Sequence, residues 1–104
     1  MADYVLSNKA DADLDETYAY SFQNFGEAKA DAYFLSLRDS LQTLADNPRM
    51  GRSINALHAG LLYHRHARHA IYYLIEDTGI FVVRILHEAM DAPRHIGIED
   101  ESER

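Results

Sequence analysis

The sequence predicts an α+β fold in which an antiparallel helix hairpin packs on a small, mostly antiparallel sheet that follows an N-terminal strand. Two observations predict this fold. The segment from residue 8 to residue 46 carries two apolar stripes at helical spacing, and the segment after Gly60 carries three short strand-like runs separated by turns. Such an order of elements is typical of a two-layer domain with one core.

The first elements are a short strand at Tyr4-Val5-Leu6 and a helix that begins after Ser7. The Ser7 hydroxyl can accept a hydrogen bond from an early N–H of this helix, and Gly26 can end it in a left-handed conformation. We interpret Asp13 and Glu16 as solvated first-turn charges that suit the helix dipole. The apolar face of the helix recurs at steps of three or four residues: Leu14, Tyr18, Ser21, Phe22 and Phe25.

The second helix is predicted from about Glu27 to Asp46, where Asn47-Pro48 ends it because a residue before proline avoids the helical region. The connection through Gly26 is so short that the two helices should lie antiparallel. We expect four aromatic residues of this hairpin to belong to the core: Phe22, Phe25, Tyr33 and Phe34. The stripe of the second helix consists of Ala30, Tyr33, Phe34, Leu37, Leu41, Leu44 and Ala45.

The rest of the chain is read as a connector and three strands. Residues 48–60 show no regular period and are predicted as the connector. The predicted strands are Leu61 to Ala67, His69 to Ile75 and Ile80 to Leu86, with a strong turn signal at residues 76–79. The second strand is apolar enough to be buried on both faces. Short turns between consecutive strands predict an antiparallel meander.

Length and composition predict one domain over residues 1–96 and an acidic, disordered tail over residues 97–104. The chain has 104 residues, 47 % of them hydrophobic, and no Cys, which excludes disulfides, thiolate zinc sites and a cysteine nucleophile. No apolar run is long enough for a membrane span, and no secretory signal is visible, so we expect a cytoplasmic protein.

The formal net charge is −7, which argues against a general nucleic-acid binder. Residues 1–56 contribute −4 of this charge and the tail −3, whereas residues 57–96 are balanced and contain all six His. The predicted sheet could therefore still meet an anionic partner, and it would become positive if its histidines were protonated near pH 6.

The residue types of the sheet segment raise two functional hypotheses, a metal site and a metal-free ribonuclease. His64 and His66 would share one face of a strand and His69 could approach them, but no carboxylate completes a metal site, and hydrogen-bonded histidines are the favoured interpretation. A metal-free ribonuclease would need a base, an acid and cations. The sheet segment contains residues of these types: Tyr63, Arg65, Arg68, Arg84 and His87. The favoured alternative has Arg84 paired with a carboxylate such as Asp91.

The helix hairpin has more apolar side chains than its core needs. Tyr18, Tyr20 and Met50 are poorly explained as core residues. Surplus apolar surface on a helix hairpin is a reasonable host for a helix or strand of another protein.

The order of these elements resembles the ParE branch of the ParE/RelE toxin superfamily. The resemblance covers about residues 4 to 96, and it depends on the order and spacing of several short motifs. These motifs are Tyr4-x-Leu6-Ser7-x-x-Ala10-x-x-Asp13-Leu14, Phe25-Gly26, Leu44-Ala45-Asp46-Asn47-Pro48-x-x-Gly51-Arg52, Gly60-Leu61, His69-x-Ile71-x-Tyr73 and Arg84-Ile85-Leu86-His87-x-x-Met90-Asp91.

The resemblance implies a RelE/ParE-like fold and the toxin of a type II toxin–antitoxin system. Toxins of this kind are neutralised in a hetero-oligomer by a ParD-like antitoxin, which alone contacts DNA. Typical ParE toxins inhibit DNA gyrase and have no catalytic activity, cofactor or metal. The RelE branch instead cuts mRNA on the ribosome with clustered basic residues and a tyrosine near the C-terminus. Here no Tyr follows Tyr73 and no Lys follows Lys29, which favours the ParE branch.

Two alternatives stay open beside gyrase inhibition: a RelE-like mRNA interferase, and a non-toxic relic that only binds its antitoxin and tunes operon repression. Antitoxin capture is expected in the groove between hairpin and sheet. Arg52, Arg65 and Arg68 are candidates for pairing with antitoxin carboxylates, because arginine forms bidentate pairs, and Tyr18 and Met50 are candidate apolar contacts. By resemblance alone, the stretch from His87 to His95 is a candidate for the element that faces gyrase. The candidate target contacts are Arg84, which precedes this stretch, and His87, Met90 and Arg94 within it.

Overall fold

The computed structural model describes residues 2–88, residue 90 and residues 92–96. Two helices and five strands follow in the order β1 (Asp3–Leu6), α1 (Asn8–Phe25), α2 (Glu27–Asp46), β2 (Arg52–Ser53), β3 (Leu62–His66), β4 (His69–Glu76) and β5 (Gly79–His87). The predicted α+β class is confirmed, and the predicted strands agree with β1, β3, β4 and β5 to within one or two residues. A 3₁₀ turn spans Pro48–Met50, and residues 92–96 form a helical turn.

The five strands form one sheet in the order β1-β5-β4-β3-β2. The strands β2 to β5 are antiparallel neighbours, as the meander requires, while β1 lies parallel to β5. The strand β2 lies in the predicted connector, because a two-residue edge strand has no period by which the sequence could reveal it. A β-bulge opposite Tyr72 and Tyr73 shifts the alternation along β5, so that both Ile80 and Ile85 face the hairpin.

The helix boundaries follow from local capping chemistry. The Ser7 hydroxyl accepts a hydrogen bond from the Ala10 N–H at 2.9 Å, as predicted for the first residue before α1. Gly26 has φ +91°, a conformation that residues other than glycine rarely adopt, and it both ends α1 and begins α2. This single-residue connection forces the antiparallel hairpin.

One main core lies between the hairpin and the sheet. Both helices contribute their buried stripes, and the central strands contribute their hairpin-facing side chains; the fully buried members include Leu37, Leu41, Leu44, Ile71, Tyr73 and Val82. The opposite face of the sheet carries a second, smaller cluster of Leu61, Leu86 and Ile96, covered by side chains of the segment 54–57 and by Ala92. This cluster explains why β4 is apolar on both of its faces.

Where β1 ends, Ser7 and helix α1 form hydrogen bonds with the edge of β5. The Ser7 N–H donates to the Val82 carbonyl at 2.9 Å, and the Ser7 hydroxyl donates to the Val83 carbonyl at 2.7 Å. Two residues further along β5, the Ile85 N–H donates to a carboxylate oxygen of Asp13 at 3.0 Å. Helix side chains therefore satisfy strand groups that a longer β1 would otherwise have paired.

The interpretation of Asp13 as a solvated charge is wrong. Asp13 is 9 % exposed and forms a bidentate ion pair with Arg84, with distances of 2.7 and 2.8 Å from Nε and Nη2. It lies on the same helix face as the buried Ala10 and Leu14, which is why the carboxylate points inward. Glu16 remains exposed, as expected.

Two of the four aromatic residues expected in the core are on the surface. Phe22 is 47 % exposed and Phe25 is 60 % exposed, while Tyr33 and Phe34 are half-buried against the core. All residues from 22 to 29 are exposed, so the turn of the hairpin receives no cover from the sheet. Neither helix of the described residues is long and apolar enough to cross a membrane.

Candidate protein-binding surface

The hairpin carries a partly exposed aromatic surface, which we call the hairpin aromatic surface and define as Tyr18, Phe22, Phe25 and Phe34. Phe22 and Phe25 are exposed, whereas Tyr18 and Phe34 are half-buried. The Tyr18 ring contacts the Phe22 ring at a centroid distance of 6.2 Å and the Phe34 ring edge-on at 5.8 Å. Clustered aromatic side chains that remain partly exposed commonly mark protein–protein contacts.

Polar and cationic groups border this surface. The Tyr18 hydroxyl donates to Asp31 at 2.7 Å, and this hydrogen bond to a carboxylate raises the pKa of Tyr18. The Arg38 guanidinium lies 5.9 Å from the centroid of the Phe34 ring, within the range of a cation–π contact. An apolar patch with a polar border has the anatomy of a partner-binding surface.

Histidines anchor the helices to one end of the sheet. His69 lies 2.7 Å from the Tyr33 hydroxyl and 3.3 Å from the Thr17 hydroxyl, while His66 lies 2.7 Å from the Ser40 hydroxyl and 3.0 Å from that of Ser36. The favoured interpretation of hydrogen-bonded histidines is therefore confirmed for these two. Within residues 2–88, 90 and 92–96, no group of three metal-binding side chains is placed to hold an ion.

Burial lowers the pKa of both His66 and His69 from the ordinary histidine value. For His69, the neighbouring His87 and His66 lower the pKa further, while Asp13 and Glu88 oppose this effect. For His66, His64 is the second cause. The rings of His69 and His87 meet edge to face at 5.4 Å. Neutral imidazoles are therefore favoured in this interface at physiological pH.

The five candidate antitoxin contacts fall into two groups rather than one cluster. Arg65 and Arg68 are exposed at the end of the sheet where β3 turns into β4, and Thr17, next to Tyr18 in α1, contacts His69 in the same region. Arg65 already pairs with Glu88 at 2.9 Å.

Met50 and Arg52 lie beyond the C-terminal end of α2. The twelve helical steps from Phe34 to Asp46 alone measure about 18 Å, so these two residues are far from the hairpin aromatic surface. Met50 is 48 % exposed, and Arg52 lies on the edge strand opposite Tyr63. Tyr73 holds the segment 48–52 in place. Its hydroxyl donates to the Pro48 carbonyl at 2.7 Å and fills the space that any side chain at position 51 would need, which is why Gly51 fits there.

The candidate target contacts are also divided. Arg84 is 8 % exposed and held by Asp13, so it is a structural residue and not a surface contact. The suggested partner, Asp91, lies outside the described residues. Met90 and Arg94 are exposed, and His87 is half-buried. The Met90 N–H donates to the His87 carbonyl at 2.9 Å, which keeps these two residues close together.

The sequence pointed to Tyr18 and to surplus apolar surface on the hairpin, but it did not reveal the exposure of Phe22 and Phe25 or the Asp13–Arg84 pair. The spacing of Ala10, Asp13, Leu14 and Ser21 at helical steps could have placed Asp13 on the buried face. No sequence pattern distinguishes an aromatic residue of the hairpin that packs over the sheet from one that is exposed at the hairpin turn.

The chain was compared with known proteins. The family model of "ParE toxin of type II toxin-antitoxin system, parDE" matches residues 4–92. A relative from Caulobacter vibrioides, Toxin ParE1, is 33 % identical over 97 residues, which cover 93 % of this chain and all of the relative. A Toxin ParE1 from Mycobacterium tuberculosis is 32 % identical over 94 residues, covering 89 % of this chain and 96 % of the relative.

A solved structure, described as "Chromosomal ParDE TA system from P. aeruginosa", has the same fold. It superimposes with a TM-score of 0.69 and 20 % identity, covering 84 % of this chain and 96 % of the solved chain. The match of the family model over most of the described residues, together with these two relatives, shows that the chain belongs to the family of ParE toxins of type II toxin–antitoxin systems.

Proposed function

We propose that this protein acts by binding other proteins: a ParD-like antitoxin neutralises it, and in its free form it inhibits DNA gyrase without catalysing a reaction itself. We place this activity in the cytoplasm, with DNA contacted only through the antitoxin. Membership of the ParE family supports the gyrase target, and the similarity to a solved ParDE system supports the antitoxin.

The exposed hairpin aromatic surface is the observation that carries the antitoxin half of this proposal. Phe22 and Phe25 belong to the folded, described hairpin, yet about half or more of each side chain contacts solvent. An apolar segment of an antitoxin would remove this area from water, at about 25 cal/mol per Å² of apolar surface. Carboxylates of the same segment would then meet Arg65 and Arg68 at the neighbouring end of the sheet.

The antitoxin half is tested with the product of the adjacent reading frame, expected to be a small ribbon-helix-helix protein. Each of Phe22→Ser and Phe25→Ser should weaken binding about tenfold, because fully burying a large apolar side chain is worth about 1.5–3 kcal/mol and only about half of each Phe is still exposed. Tyr20→Ser is the matched control, because Tyr20 is 61 % exposed but lies on the opposite side of α1 from Tyr18 and Phe22. Isothermal titration calorimetry measures all three.

Equal losses in the control and in the two Phe variants would contradict the role of the hairpin aromatic surface. No binding of the wild-type chain to the adjacent gene product would contradict the antitoxin partner itself.

The gyrase half is tested with the purified wild-type chain in a supercoiling assay. Inhibition of supercoiling, with DNA breaks and an SOS response on expression, is the expected result. Unimpaired supercoiling at excess toxin rejects gyrase as the target. Cleavage of mRNA with ribosomes, lost in His87→Ala, would instead indicate an interferase, and harmless expression would indicate a relic. Arg84→Ala is unsuitable here, because Arg84 is buried and its loss would perturb the fold.

A further inference from the structure

The hydrogen bonds of His66 assign which of its two ring nitrogens carries the proton. The Ser36 hydroxyl lies 3.0 Å from Nε2 of His66 and donates its own hydrogen to the Tyr33 carbonyl at 2.9 Å. Because a hydroxyl has one hydrogen, the Ser36 oxygen can only accept from Nε2–H of His66. Nδ1 is then the unprotonated nitrogen, and it accepts from the Ser40 hydroxyl at 2.7 Å.

The same reasoning assigns the same tautomer to His69. The Thr17 hydroxyl donates to the Asp13 backbone carbonyl at 2.9 Å, so its oxygen accepts from Nε2–H of His69 at 3.3 Å. Nδ1 of His69 accepts from the Tyr33 hydroxyl at 2.7 Å. The structure therefore fits both imidazoles in the neutral form, with a hydroxyl donor directed at each Nδ1.

A proton added to either Nδ1 would face the hydrogen of a hydroxyl group. The Ser40 and Tyr33 hydroxyls would have to turn away and lose their present acceptors. The Tyr33 hydroxyl could turn toward the His66 carbonyl at 3.4 Å, which is long for a hydrogen bond between two oxygens. Both rings are half-buried, so the added charge would also lose part of its hydration.

The surrounding charges compensate an added proton only in part. Asp13 and Glu88 favour protonation of His69, but ion pairs already join them to Arg84 and Arg65. Neighbouring histidines oppose protonation of both rings. The charged and titratable groups that face the two rings or their hydroxyl partners are Asp13 on α1, Tyr33 on α2, His64 on β3, Arg68 between β3 and β4, His87 on β5 and Glu88 after it.

His69 also links the two helices at the hairpin aromatic surface. It bonds to Thr17 of α1 and to Tyr33 of α2. The next residues along these helices are Tyr18 and Phe34, whose rings meet edge-on at 5.8 Å. This ring contact joins α1 to α2 within the surface. Loss of the His69 hydrogen bonds would therefore loosen the helix pair at the place where a partner contacts it.

We propose that His66 and His69 form a proton-sensitive contact between hairpin and sheet, and that this contact regulates partner binding at the hairpin aromatic surface. With neutral rings the contact holds Tyr18 and Phe34 in place, whereas proton uptake opens it and weakens binding. The closed contact binds fewer protons than the open one, so it is complete above about pH 6.5, the ordinary histidine pKa, and is lost below that pH. This inference rests on the proposed antitoxin role of the surface, but its first test needs only this chain.

The first test is an NMR titration of the full chain, labelled with ¹⁵N and ¹³C, between pH 7.5 and pH 5. At pH 7.5 both rings should carry their proton on Nε2, and the nuclear Overhauser effect between the Tyr18 and Phe34 rings should weaken as the imidazoles take up protons. Tyr33→Phe removes the donor to Nδ1 and should raise the pKa of His69. Tyr20→Phe makes the same change at an exposed position of α1 and should leave that pKa unchanged.

The second test measures binding of the adjacent gene product by calorimetry at pH 7.5 and pH 5.5. Binding to the wild-type chain should be weaker at pH 5.5 by up to about tenfold for each histidine, the factor for a group of pKa about 6.5 that takes up a proton only in the open contact. The double variant His66→Gln/His69→Gln should lose this difference. His58→Gln removes a histidine of the connector and should keep it. Titration of the antitoxin itself cancels, because the antitoxin is the same in all three experiments.

Three outcomes would overturn the proposal. One is a proton on Nδ1 of either ring at pH 7.5, and another is a Tyr18–Phe34 ring contact that stays unchanged throughout the titration. The third is an equal pH effect on binding in the wild type and in the double variant. Absence of binding at pH 7.5 would instead contradict the antitoxin partner, and the NMR titration, with Tyr33→Phe, decides the proposal even then or if the double variant does not fold.

Discussion

Removal of one partner of the ion pair between Asp13 and Arg84 should destabilise this domain strongly, because the other charge would stay buried without it. Both side chains are about 10 % exposed, and the carboxylate accepts three hydrogen bonds: two from the guanidinium at 2.7 and 2.8 Å and one from the Ile85 N–H at 3.0 Å. The carboxylate raises the pKa of Arg84, mainly through their hydrogen bond. Because an arginine side chain is not deprotonated in proteins, the guanidinium stays charged even when its partner is removed.

We expect Asp13→Ala to lower the free energy of unfolding by about 3–5 kcal/mol, the usual result of removing one partner of a buried ion pair. The unpaired Ile85 N–H makes the upper part of this range the better expectation. In a domain of about 100 residues, each kcal/mol shifts the melting temperature by about 4–8 °C, so a loss of 3 kcal/mol corresponds to about 12–24 °C. Thermal unfolding followed by circular dichroism measures the shift.

Two further variants make this expectation refutable. Asp15→Ala is the control, because Asp15 is exposed on the same helix and its loss should change stability by no more than about 0.5 kcal/mol. Asp13→Leu combined with Arg84→Met replaces the pair by apolar groups and should recover most of the stability lost in Asp13→Leu alone. A shift of under about 1 kcal/mol in Asp13→Ala, or no recovery in the double variant, would refute the reasoning.

Two more predictions concern the interface with the sheet. Since His66 and His69 have lowered pKa values in the fold, the unfolded chain binds more protons as the pH falls below about 6.5. The contribution of these histidines to stability should therefore be complete above that pH and decline below it. Urea denaturation at several pH values between 5 and 7.5 should show that the free energy of unfolding falls less steeply with decreasing pH in the double variant His66→Gln/His69→Gln than in the wild type. An equally steep fall in both proteins would contradict this. Gly51→Ala would place a methyl group on the Tyr73 hydroxyl and should lower the free energy of unfolding by about 1–3 kcal/mol. This loss is measured as a lower urea midpoint. An unaltered midpoint would show that Tyr73 moves freely.

The elements that could be predicted were those specified by neighbouring residues. The Ser7 hydroxyl, the left-handed Gly26 and Asn47-Pro48 act within a few residues of their own position, so the boundaries of α1 and α2 followed from local chemistry. The strands β4 and β5 are long enough to show their β-branched, apolar character. The strand β2 could not be found, because its two residues are a strand only through their pairing with β3.

The candidate site was less predictable than the fold. Tyr18 and Met50 were singled out correctly as exposed or half-exposed, but the sequence does not show that α2 separates them. Phe22 and Phe25 have the periodicity of a core face, and their exposure depends on how far the sheet extends beneath the hairpin. That extent is a property of strand positions more than 40 residues away in the chain.

By itself, the sequence determined the two helices, the four longer strands and the family, because capping, periodicity and the order of short motifs are all read from residues close together. Only the tertiary structure decided which charges are buried and which aromatic residues are exposed. The Asp13–Arg84 pair joins residues 71 positions apart, and the pairing depends on α1 lying along the edge of β5 where β1 ends. Such contacts depend on how the helices and strands pack, and packing brings together residues that are far apart in the sequence.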